Sequence, residues 1–204
     1  MRTTSFPHQV SPGEDFDMAQ LIYHVATTLD MFIADRNGVA DQSVFLYADD
    51  GGDFFASVKQ YDAVLMGRKT YEYGFQYGLK PGEPSGIAQA VHPDLKHFIF
   101  SRELDFASNE KVELVREDAA SFCRKLKAGG KYQKIWLCGG GQLAGELLKH
   151  QLIDTLILKV NPVLLGDGIP LFGPVKQKLH LKLLSNKSYE SGVVLSTYQI
   201  VYPS

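Results

Sequence analysis

Cysteine is scarce in this 204-residue chain: Cys123 and Cys138 are the two present, and they form no C-x-x-C pair. That excludes a disulfide framework and a cysteine-rich zinc site, and it predicts two buried free thiols in a reducing compartment. Net charge is nearly absent too, with 21 Lys+Arg against 23 Asp+Glu for a formal value of −2. A chain so balanced offers no bulk attraction to nucleic acid or to an anionic membrane, although a local basic pocket remains open to it. No apolar run approaches the ~18 residues a membrane helix needs. The first twenty residues, MRTTSFPHQVSPGEDFDMAQ, contain no continuous apolar stretch and do not read as a secretory signal, so the expected location is the cytoplasm. Repeats, low-complexity tracts, a G-x-S-x-G elbow and a metal-ligand cluster are also missing. The histidines stand at no ligand spacing, and His24, His92 and His97 read as structural; Trp136, between Ile135 and Leu137, reads as core.

What is present is a chain that is 45% hydrophobic, long enough for one domain that buries roughly 70% of its unfolded surface. Residues 1–19 read as an extended or disordered lead-in, and 20–204 as a single domain. Apolar and β-rich runs predict strands at 21–27, 32–35, 63–66, 96–101, 111–115, 134–138 and 155–160. Helices are expected at 53–60, from Arg68, at 117–128 and at 142–150. In the first of these Phe54, Val58 and Tyr61 share a face, and 117–128 is acidic at its start and basic at its end. Residues 35–52 and 74–90 read as long loops and 162–173 as a glycine-punctuated crossover. Ser191-Gly192 separates 179–189 from 193–202 as a closing hairpin. Alternating strands and helices predict an α/β domain with a mostly parallel sheet and an antiparallel edge.

Three strand ends carry groups suited to an anion. KIWLCGGGQLAGELL (134–148) runs from an apolar strand through Gly139-Gly140-Gly141 into a helix, whose first N–H groups and dipole favour negative charge. The G-x-G-x-x-A match at Gly139, Gly141 and Ala144 comes too late in the chain, and lacks the following acid, for a Rossmann half. AVLMGRKTYE (63–72) ends a strand in Gly67, Arg68, Lys69 and Thr70, and FIFSR ends one in Ser101 and Arg102. Read singly, each is also an ordinary helix start or strand end. Together they line the edge at which open α/β sheets bind ligands.

These segments, with ATTLDMFIAD (26–35) and NPVLLGDGIPLF (161–172), resemble the dihydrofolate reductase-like superfamily. The similarity is greatest to the C-terminal reductase domain of the bifunctional riboflavin-biosynthesis deaminase-reductase, and it covers about 20–202. The resemblance implies a three-layer fold with a mostly parallel mixed sheet and a C-terminal antiparallel hairpin, a homodimer, and NADPH as cofactor. It implies that Gly67, Arg68, Lys69 and Thr70 form the first cofactor loop, and that Ser101 and Arg102 meet the adenosine 2′-phosphate. Gly139, Gly140, Gly141, Gln142 and Leu143 would line the pyrophosphate and nicotinamide side, and Ala26 would lie beside the nicotinamide. The implied activity is reduction of a pteridine-like or aminopyrimidine substrate, a small heteroaromatic molecule. The family's Gly after the turn Asp is Met31 here, and no zinc-deaminase H-x-E with P-C-x-x-C is present. Asp53, opening a helix, and Asp30, near the cofactor mouth, are the candidate catalytic acids, ahead of Asp49 and Asp50; each also reads as an ordinary helix-start or turn acid. A nucleotide-binding protein without turnover is the alternative, and a plain dimeric scaffold a third reading. The loop 38–52 contributes no cation for a substrate phosphate, and Phe45-Leu46-Tyr47 with the aromatic stretch 71–77 would suit a flat ring.

Overall fold

Strands form where short apolar runs are bounded by turn residues, and helices where an apolar stripe recurs with the helical period. The computed structural model describes residues 18–45 and 51–203; residues 1–17, Leu46, Tyr47, Asp49 and Asp50, which figure in the sequence reading, lie outside the described residues. In chain order the elements are β1 (Gln20–Thr28), β2 (Phe32–Ala34), α1 (Gly51–Val58), β3 (Ala63–Gly67) and α2 (Arg68–Glu72), which runs into a 3₁₀ turn (Tyr73–Tyr77). There follow α3 (Gly86–Val91), β4 (Lys96–Phe100), β5 (Val112–Val115), α4 (Ala119–Ala128), β6 (Lys134–Gly139) and α5 (Gly141–Lys149). The chain closes with β7 (Thr155–Asn161), β8 (Ile169–Pro170), β9 (His180–Ser188) and β10 (Val194–Val201).

Eight strands make one sheet in the order β5-β4-β3-β6-β1-β7-β10-β9, while β2 and β8 pair separately. The six strands from β5 to β7 run parallel, and β10 and β9 add the expected antiparallel edge. Alternation along β1 sends Leu21 and Tyr23 into one core, with Ala120, Cys123, Ala144 and Leu147 of α4 and α5. Ile22 points the other way, into a second core with Val58, Tyr61, Tyr71 and Trp136. Helices therefore cover both faces and complete the three layers.

Local differences from the sequence reading have physical causes. Helix α4 starts at Ala119 because Asp118 caps it, its carboxylate accepting from the Ser121 N–H at 2.8 Å. The stretch 74–90, expected as loop, holds the end of the 3₁₀ turn and the six-residue α3, too short to show a periodic face. The crossover 162–173 contains β8, whose two residues pair with β2. At the edge of the sheet β9 is exposed along its whole length, Leu181 and Leu183 included.

Two histidines are buried and neutral. His24 Nδ1 lies 2.9 Å from the Tyr61 hydroxyl, and burial lowers its pKa to about 4. His97 accepts the Ser85 N–H at Nε2 and pairs with the Leu95 carbonyl through Nδ1; burial lowers its pKa to about 4 as well. The unfolded chain takes up these protons below its ordinary histidine pKa near 6.5, and the folded chain refuses them until about 4. Stability is therefore full above pH ~6.5 and falls as the pH drops toward 4, by about 2 kcal/mol per histidine at pH 5. Urea denaturation at pH 7.5 and at pH 5 measures this, and His97→Gln should remove about half of the difference.

Candidate functional site

Because β1, β3, β4 and β6 are parallel, their carboxyl ends share one edge, and that edge collects the three anion-suited segments. Gly67 and Gly140 are the N-cap residues of α2 and α5, both extended and neither helix capped by a side chain. They touch: a Cβ on Gly67 would lie 3.5 Å from the Gly140 nitrogen and 3.8 Å from the Leu143 Cβ. Cβ atoms on Gly139 and Gly140 would lie 3.5 and 3.2 Å from the Thr70 hydroxyl. Gly139 has φ 142°, and its peptide bond to Gly140 is cis. Two helices thus begin close together with no side-chain cap on either, and helix starts of this kind present N–H groups and a positive dipole end suited to an anion.

The cations along this edge differ in what already holds them. Arg68 Nη1 donates to both carboxylate oxygens of Glu72 at 3.2 and 3.0 Å, and its Nη2 lies 3.2 Å from Glu103. Its charge is balanced, and it ties α2 to the loop after β4. Lys69 and Arg102 are exposed, and neither side chain forms an ion pair among the described residues. Ser101 is buried; its Oγ accepts the N–H groups of Glu103 and Leu104 at 3.1 and 2.9 Å, leaving its own proton to donate. Arg116 braces the same loop through the Arg102 and Leu104 carbonyls and Asp105. A groove lined by Phe100, Ser101, Arg102, Arg116 and Asp118 results.

Gly141 is buried against the crossover rather than open to the edge. A Cβ there would sit 2.3 Å from the Pro170 carbonyl oxygen, and one on Gly145 2.4 Å from that of Phe172. Its side-chain position is taken up by the crossover backbone. Gln142 is exposed and Leu143 half-buried.

On the α1 side of the sheet, alternation puts His24, Ala26 and Thr28 on one face. Register extends that face across the strands: Ala26 pairs with Lys159, Lys159 with Leu195, and Leu195 with Lys187. Asp53, in the first turn of α1, accepts from Lys187 Nζ and from the Tyr189 hydroxyl. Those bonds, Lys187 first, hold its carboxyl below the usual carboxylate range. Asp30 instead closes a turn. It accepts from the Thr28 hydroxyl at 2.6 Å and from the N–H groups of Leu165 and Gly166, and these bonds lower its pKa too. The next residue, Met31, adopts φ 66°, the left-handed conformation that a glycine takes freely. The turn therefore persists without the glycine. Lys159, Lys187 and Tyr189 went unread in the sequence; the strand alternation of the hairpin is the signal that places Lys187 on the face of Ala26.

Both cysteines are free, and burial pushes each thiol up to about 12. Among the described residues no group of three or more His, Cys, Asp or Glu could hold a metal ion, and no helix is long and apolar enough to cross a membrane.

The model of the RibD C-terminal domain family matches residues 19–195. The uncharacterized protein YyaP of Bacillus subtilis (strain 168) is 34% identical over 187 residues, covering 90% of this chain and 94% of that protein. Its uncharacterized protein YwjB is 33% identical over 177 residues, 85% of this chain and 94% of that one. Among solved structures, a candidate riboflavin biosynthesis protein from Shewanella sp. PV-4 is similar with TM-score 0.71 and 26% identity, over 91% of this chain and all of that one. A diaminohydroxyphosphoribosylaminopyrimidine deaminase/5-amino-6-(5-phosphoribosylamino)uracil reductase from Thermotoga maritima shares the fold, with TM-score 0.64 and 18% identity over 90% of this chain and 57% of its own.

The packing of Gly141 yields a direct expectation. Gly141→Ala must displace backbone of the crossover, so it should cost roughly 2–3 kcal/mol by chemical denaturation. Gly67→Ala, with no contact closer than 3.5 Å, should leave stability within about 1 kcal/mol.

Proposed function

Since the chain belongs to the RibD C-terminal domain family, we propose that it is an NADPH-dependent reductase of a pteridine-like or aminopyrimidine ring. The observation that carries this reading is the pair of uncapped helix starts meeting at Gly67 and Gly140, with Lys69, Ser101 and Arg102 beside them. A dinucleotide would suit that cradle. Its pyrophosphate would lie on the N–H groups at the start of α5 and beside Thr70, and an adenosine 2′-phosphate would meet Arg102, Lys69 and the Ser101 hydroxyl. The nicotinamide would reach Ala26, whose small side chain leaves the sheet face open there. When bound, NADPH supplies the hydride.

The chain's own part is orientation and electrostatics. Asp53 is held as an anion, so at neutral pH it accepts hydrogen bonds instead of giving up a proton. It would hold the N–H edge of the ring and stabilise positive charge that develops as the ring is protonated. Asp30 acts one step back: its carboxylate fixes the turn after β1 and so the height of Ala26. Arg68, balanced by Glu72 and Glu103, keeps the two cofactor loops together.

Titration with NADPH and NADH tests the site. Arg102→Ala should weaken NADPH about tenfold, equivalent to ~1.4 kcal/mol, and NADH less than about twofold. Lys69→Ala should act in the same sense but more weakly, and Arg68→Ala should affect both nucleotides alike. Failure of both nucleotides to bind would remove the reductase reading. Tight NADPH binding without oxidation by dihydrofolate or by pyrimidine precursors of riboflavin would favour the non-catalytic alternative.

A further inference from the structure

The first turn of α1 is held differently from the rest of that helix. Phe54 packs against Trp136 and His24, with ring centroids 5.9 and 5.7 Å apart, and Val58 is fully buried. The apolar stripe thus fixes one side of α1 to the sheet. Asp53 points elsewhere, to the tip of the β9–β10 hairpin, where Lys187 Nζ lies 2.5 Å from its Oδ2 and the Tyr189 hydroxyl donates to the same oxygen. The two partners brace one another, Lys187 Nζ standing 4.8 Å from the centre of the Tyr189 ring. The tip itself is tight: Tyr189 N–H bonds the Val193 carbonyl, and Gly192, at φ 84°, returns its N–H to Tyr189. Lys187 also terminates the cross-strand row Ala26–Lys159–Leu195–Lys187 on the face of the sheet that α1 covers.

We propose that Lys187 and Tyr189 are positioning residues that clasp the start of α1 to the hairpin, and that by holding Asp53 above this row they set the width of the slot for the substrate ring. The proposal rests on the reductase reading for the identity of the ring, while the clasp itself has a readout that needs no ligand. A carboxylate tied on one oxygen keeps the other for the substrate, and the strands beneath keep their register whatever α1 does. Loosening the clasp therefore changes how the ring is held and leaves the nucleotide cradle at Gly67 and Gly140 as it was.

The test uses the full chain and the variants Lys187→Met, Lys187→Arg and Tyr189→Phe. Amide hydrogen exchange without ligand should rise about tenfold over residues 53–58 in Lys187→Met and Tyr189→Phe, with β3 and α5 unchanged, and Lys187→Arg should restore protection. With dihydrofolate as the probe, KM should rise about tenfold and kcat should fall as well, since Asp53 also meets the charge that develops on the ring, while the NADPH Kd stays within twofold; Lys187→Arg should recover most of the loss. Unchanged exchange in α1 would overturn the clasp. A KM unchanged, or shifted only in step with the NADPH Kd, would overturn its positioning role. Should the wild-type protein oxidise no NADPH with any ring substrate, the reductase reading fails by itself, and the ligand-free exchange still decides whether the clasp exists.

Discussion

Asp154 lies where four elements meet, at the edge of the sheet opposite the candidate site. One of its carboxylate oxygens accepts the Leu21 N–H at 2.7 Å and Lys127 Nζ at 2.5 Å. Its backbone N–H donates to the Leu21 carbonyl, and its carbonyl accepts from Ile200. Lys127, whose side chain is 6% exposed, also donates to the Leu152 carbonyl. A buried ammonium is tolerated only when it is paired and hydrogen-bonded in this way. The junction fixes the start of β1, the strand around which the sheet is arranged, against β7, β10 and the end of α4. Asp62 does the same between β3 and β6, accepting the N–H groups of Gln133 and Lys134. A strand slipped by one residue would exchange its faces. With the starts pinned, Ala26 arrives on the α1 face, and Met66 pairs with Gly139 so that Gly67 comes up beside Gly140.

Charge at the carboxyl edge is divided between groups already held by several partners and groups in no ion pair among the described residues. Arg68, Arg116 and Asp30 belong to the first group: each is occupied by several partners, and each joins two segments. Lys69 and Arg102 belong to the second. The division follows from geometry, since a planar guanidinium with several donors bridges loops well. Asp53 is bonded to the hairpin through one carboxylate oxygen, which Lys187 and Tyr189 share.

The strands were legible because short apolar runs between turn residues have few other solutions, and the parallel sheet followed from their alternation with helices. What escaped was short or remote. Helix α3 is six residues without a readable face, and β8 is two residues that count as a strand only because β2 lies opposite. At the candidate site, glycines and cations marked the three strand ends, but the contacts that hold them did not show. The Arg68–Glu72 pair has helical spacing and could have been read; Glu103 reaches Arg68 from another loop and could not. Asp53 was visible as a helix-start acid, whereas its partners lie 134 and 136 residues away, beyond any local pattern. Met31 departs from the family's glycine, yet the bonds of Asp30 and the adjoining backbone impose the left-handed turn regardless.

The seam between α5 and the crossover at Gly141 and Gly145 has a mechanical consequence. The first turn of α5 carries the glycine cradle on one side and bears on the Pro170–Phe172 backbone on the other, with no side chain between to absorb displacement. β8, inside that crossover, pairs with β2, and Leu171 donates its N–H to the Met31 carbonyl. The turn after β1 and the start of α5 are thus joined through stiff backbone contacts. Both are therefore set in place by one and the same piece of backbone, and neither can be repositioned without the crossover.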